Sequence, residues 1–79
     1  MTGIDRPPGG AIRIWRLRKR NLYVDAELTP VEGTSGFTLA IYYGETLTWS
    51  GRYLNRSDAV TAARARRSEL EREGWTFHW

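Results

Sequence analysis

The feature that most constrains this chain is a matched pattern on either side of Arg20-Asn21. If those two residues form a hairpin loop, with asparagine accepting the positive φ that tight loops demand, the flanking residues fall into register. Lys19 then pairs with Leu22, Leu17 with Val24 and Trp15 with Ala26, so Trp15, Leu17, Leu22, Val24, Ala26 and Leu28 share one face. Arg16 falls opposite Asp25 on the other face, with Arg18 beside Tyr23. A one-residue slip would turn every side chain to the wrong face, so apolar against apolar and base against acid specify this pairing. Residues 12–29 are therefore expected to form two antiparallel strands.

Two further segments alternate with the strand period. Phe37, Leu39, Ile41 and Tyr43 share one face of residues 37–43, with Thr38, Ala40 and Tyr42 on the other. In residues 47–53, Leu47, Trp49 and Tyr53 alternate with Thr48, Ser50 and Arg52. A two-residue loop at Gly44-Glu45 would set Ile41 against Thr48 and mix the faces. A three-residue loop, Gly44-Glu45-Thr46, sets Tyr43 against Leu47 and Ile41 against Trp49, and is preferred here; a bulge near Gly51 is the other solution. Residues 30–36 hold a proline and two glycines and read as a connection.

Periodicity changes to that of a helix at residues 56–73. Asn55 suits the N-cap, Asp58 follows three residues later, and Gly74 suits the C-terminal cap. Ala59, Ala62, Ala63 and Leu70 make one stripe, bordered by Val60. Alanine allows close approach to a sheet that supplies the bulk. The expected fold is α+β: a three- to four-stranded antiparallel meander packed by one C-terminal helix. Its expected core is Trp15, Leu17, Val24, Leu28, Phe37, Leu39, Ile41, Trp49, Ala59, Ala63 and Leu70. Residues 12–79 form the single domain, and residues 1–11, with Pro7-Pro8-Gly9-Gly10, read as a flexible lead-in.

At 79 residues the chain has room for one small domain with a thin core. Its hydrophobic fraction of 41% is too high for a disordered segment. It has no cysteine, which excludes disulfides, thiol chemistry and cysteine-ligated zinc. No apolar run is long enough for a membrane span, and no apolar leader precedes the domain, so a cytoplasmic protein is expected.

Asn55, Asp58, Ala59, Ala62, Ala63, Arg67, Leu70 and Gly74-Trp75 together resemble the ending of short uncharacterised bacterial proteins. In these a meander precedes a capped helix that closes on Gly-Trp. The resemblance implies a bacterial cytosolic protein and carries no activity. Four strands followed by a helix is also similar, in element order alone, to the repeat of the Whirly and Pur-alpha families, which bind single-stranded nucleic acid.

The residues favour binding over catalysis. The one histidine, His78, stands next to the end of the chain. Asp25 and Glu27, at i and i+2 on one strand face, could in principle divide acid and base roles, but with Arg16 opposite they read as solvated cross-strand partners. No serine has a histidine placed to activate it, and glycine-rich phosphate-loop patterns are absent. No cofactor or metal is expected.

The net charge is +3, and six of the twelve basic residues lie in the first twenty positions. Arg16, Arg18, Lys19 and Arg20, with Tyr23, Tyr42 and Arg52, make the candidate binding surface, which Arg13 could extend. A protein partner or a second copy of the chain is the expected occupant. Single-stranded nucleic acid is the alternative, since cations meet phosphates and aromatic rings stack on unpaired bases.

Overall fold

The computed structural model describes residues 10–77. Most of the expected lead-in, residues 1–9, lies outside the described residues, as does His78. The elements run β1 (Ile12–Lys19), β2 (Leu22–Pro30), β3 (Phe37–Tyr43), β4 (Thr46–Tyr53), α1 (Arg56–Arg72) and β5 (Thr76–Phe77). The strands form one antiparallel sheet in the order β4-β3-β2-β1-β5. The fold is thus α+β: a four-stranded meander and one C-terminal helix, with a short fifth strand pairing Leu17 with Phe77 and Arg18 with Thr76. Among the described residues, no helix is long and apolar enough to cross a membrane.

The first hairpin has the expected register. Lys19 faces Leu22, Arg18 faces Tyr23, Leu17 faces Val24, Arg16 faces Asp25 and Trp15 faces Ala26. A bulge between Arg13 and Trp15 then sets Arg13 opposite Glu27 and Ile12 opposite Leu28. One detail is reversed: the positive φ belongs to Arg20, at 58°, and not to Asn21.

The β3–β4 hairpin solves the mixed-face conflict differently from either expectation. Its loop is the two-residue Gly44-Glu45, with Gly44 at a φ of 63°. Tyr43 pairs with Thr46 and Tyr42 with Leu47; Thr48 is then passed over and Ile41 meets Trp49. The bulge therefore lies at Thr48, three residues before Gly51, and the Thr48 hydroxyl donates to the Ile41 carbonyl at 3.1 Å. One extra residue restores the faces without lengthening the loop. Gly51 has another use. A Cβ there would lie 2.8 Å from Cη2 of Trp49, so its hydrogen lets the indole lie along the strand.

Helix α1 begins where the capping residues place it. The Asn55 side chain accepts from the Asp58 amide at 2.9 Å, and its own amide group donates to the Asp58 carboxylate at 3.3 Å. The helix ends in a Schellman arrangement: Gly74 N–H donates to Glu71 O and Trp75 N–H to Leu70 O, both at 3.1 Å. Gly74 has a φ of 102°, which favours glycine.

The helix lies on one sheet face and buries Ala59, Ala63 and Leu70 against Trp15, Leu17, Val24, Ala26, Leu28, Leu39 and Ile41. The Trp15 indole N–H donates to Ala63 O at 3.0 Å, tying β1 to the middle of the helix. Phe37 and Trp49, expected in the core, are only partly buried. Phe37 opens its strand and Trp49 sits on the edge strand, where neighbours are missing on one side. Trp75 takes up core space instead, 7% exposed.

Candidate functional site

The helix covers only one face of the sheet. Alternation along the strands sends Arg13, Arg16 and Arg18 of β1 to the uncovered face, with Tyr23, Asp25 and Glu27 of β2. The pairings of β3 and β4 add Ala40, Tyr42, Leu47 and Arg52 to it. Four rows cross the strands: Leu47–Tyr42–Asp25–Arg16, Ser50–Ala40–Glu27–Arg13, Arg52–Thr38–Thr29, and Tyr23–Arg18–Thr76.

The centre of this face is held by an ion pair. Arg16 Nε donates to Asp25 Oδ1 at 2.7 Å and its Nη2 donates to Oδ2 at 3.1 Å. Arg13 Nε stands 3.7 Å from Asp25 Oδ1. The Arg16 guanidinium also lies 4.9 Å from the centre of the Tyr23 ring. Its pKa is raised, chiefly by the hydrogen bond to Asp25, against a smaller opposing effect of burial.

Asp25 and Glu27, expected to be solvated, are 4% and 5% exposed. The reason is position. β2 is the middle strand, so Asp25 is flanked by Arg16 and Tyr42, and Glu27 by Arg13 and Ala40. A buried carboxylate needs a compensating donor, and for Asp25 the Arg16 guanidinium supplies it. These two acids are the structural centre of the surface, although neither is among the residues expected to form it. The signal that could have revealed them was their place on the strand flanked on both sides in the meander.

The seven sequence-predicted surface residues separate into three places. Arg16, Arg18, Tyr23 and Tyr42 come together on the uncovered face. Arg52 shares that face but pairs with Thr38, at the far end of the edge strand from Leu47. Lys19 is turned to the helix side: its Nζ donates to Glu73 O at 2.9 Å and lies 5.9 Å from the Trp75 ring centre. Arg20 is in the turn, and its carbonyl accepts from Arg18 Nε at 2.9 Å.

Chemically, the face offers guanidinium and phenol groups around two buried acids, of which Asp25 is held by Arg16. Among the described residues, no three His, Cys, Asp or Glu side chains are grouped to hold a metal ion. No protein-family model matches the chain, and neither a curated protein nor a solved structure matches it.

Proposed function

We propose that this chain is a small non-enzymatic binding module that docks an acidic protein surface on its uncovered sheet face. The observation that carries the reading is the composition of that face after its internal pairing. Asp25 and Glu27 are buried, so what is presented outward is arginine, tyrosine and Leu47. Aromatic residues and arginine are the types enriched at protein interfaces, and acids are depleted there. The net balance of four arginines against two acids favours a partner of opposite sign.

Two competing occupants fit less well. A second copy packed face to face would set Arg13, Arg16, Arg18 and Arg52 against the same four residues. Single-stranded nucleic acid needs open aromatic faces, and Tyr23 already carries the Arg16 guanidinium on its ring.

The test is a titration of the isotopically labelled protein with an oligoglutamate peptide and, separately, with a thymidine oligonucleotide. The reading expects saturable NMR shifts at Arg18, Tyr23, Tyr42 and Arg52 with the peptide. It expects Arg18→Glu combined with Arg52→Glu to remove them, with Arg16 and Asp25 left intact. Shifts confined to the helix side, or tighter binding of the oligonucleotide to this face, would overturn it.

A further inference from the structure

Arg20 is the one non-glycine residue with a positive φ among the described residues. At 58° its Cβ is crowded against the backbone, in a turn position where glycine would be relaxed. Asn21, the neighbour better suited to such a conformation, does not take it. An outlier held in this way is a reason to ask what its side chain does.

The turn borders a shallow depression of about 450 Å³, wide open to solvent and lined by Arg18, Lys19, Arg20, Gly74 and Thr76. Three of these five residues are cationic and none is acidic. The main chain of the turn is tied down by Arg18, whose Nε donates to the Arg20 carbonyl at 2.9 Å. The Thr76 hydroxyl donates to the Arg18 carbonyl at 3.2 Å, which joins the tip to β5. Lys19 donates to the Glu73 carbonyl at the helix C-terminus, which offsets the negative end of the helix dipole. An anion entering the depression therefore meets a lining that carries three cations; the exposed Glu73 precedes Gly74 in the chain but does not line the depression.

We infer that this concavity is a site for a phosphate monoester dianion, held by Arg18 and Arg20 with Lys19 behind them. Clustered cations fit two negative charges on one group. A diester backbone needs cations spaced along its length, and the next ones on β1 are committed: Arg16 is bonded twice to Asp25 and Arg13 stands 3.7 Å from it. The site shares Arg18 with the uncovered face but centres on Arg20 at the hairpin tip, and it does not depend on docking to that face.

The experiment compares inorganic phosphate, a short phosphoserine peptide, the same peptide with serine, and a thymidine oligonucleotide, each followed by NMR on the labelled full chain. Phosphate and the phosphoserine peptide should shift residues 18–21 and 73–76, while the serine peptide should not. Affinity should rise as pH passes upward through about 6, where the monoester gains its second charge. Arg20→Gly should weaken phosphoserine binding by about tenfold or more. Because that change relaxes the turn, it should also raise the melting temperature, so loss of binding cannot be assigned to unfolding. Unchanged binding in Arg20→Gly would overturn the site. So would tighter binding of the oligonucleotide with shifts running along β1 to Arg13, or phosphate shifts scattered over all basic residues.

Discussion

Arg16 holds Asp25 by two parallel hydrogen bonds, of 2.7 and 3.1 Å, on a sheet face that the helix does not cover. The geometry is the bidentate fork that makes arginine and lysine unequal at such a site. It explains how an acid on the central strand stays 4% exposed without a second layer above it.

Removing the arginine strands the acid. Arg16→Ala should destabilise the fold by about 2–3 kcal/mol, because Asp25 loses its paired donors while remaining buried. Arg16→Met with Asp25→Leu should recover most of that loss, since neither charge is then left behind. Urea melts of the three proteins measure both effects. The pH dependence has a definite sign. Arg16 has its pKa raised above the ordinary arginine value, so its contribution is fully present below that value and is lost only as pH rises through the raised one. The stability difference between the native chain and Arg16→Gln should therefore stay flat from about pH 7 to pH 10.

The helix should answer to one side chain above the rest. Leu70 is the large apolar residue in a buried stripe otherwise made of Ala59 and Ala63. Leu70→Ala should cost about 2–4 kcal/mol. Arg64 is exposed, and Arg64→Ala should change stability by less than about 0.5 kcal/mol. Equal effects in a thermal melt would place the buried face wrongly.

Trp15 joins the layers by a hydrogen bond as well as by packing. Trp15→Phe keeps an aromatic ring but leaves Ala63 O without the indole donor at 3.0 Å. A loss of about 1–3 kcal/mol is expected, from the missing bond and the smaller ring together. Chemical denaturation measures it.

Positive φ values at the two ends of the basic concavity should respond in opposite directions. Gly74 is at 102°, and Gly74→Ala should cost about 1–2 kcal/mol by forcing a Cβ into left-handed backbone. Arg20 is at 58°, and Arg20→Gly should stabilise by about 0.5–1 kcal/mol, the relief of strain exceeding the entropy glycine gains when unfolded. Calorimetry on the two variants gives both signs.

Local pattern made much of the fold legible. The register from Trp15–Ala26 to Lys19–Leu22, the Asn55 cap, the Gly74 cap and the inward face of α1 each follow from residues close in sequence. The β3–β4 loop was less readable, because a longer loop and a bulge both restore the pairing of Ile41 with Trp49. The alternation of apolar residues is satisfied by either, and only the packed strands choose Thr48. Lys19 keeps company in sequence with the basic residues of the binding surface, although strand alternation puts it with Trp15 and Leu17 on the helix side.

By itself, then, the sequence determined which residues become β1 to β4 and the helix, where the helix starts and stops, and which way β1 and β2 face each other. These depend on period, capping and neighbouring charge, all short-range properties. Tertiary structure alone decided that Trp75 enters the core and that Phe77 lies opposite Leu17. It also turned Asp25 and Glu27 from surface acids into buried ones. Burial depends on what lies alongside in space, and for a central strand those neighbours come from elements up to tens of residues away. A carboxylate beside an arginine reads the same in sequence whether water or protein surrounds it; only the assembled sheet removes the water.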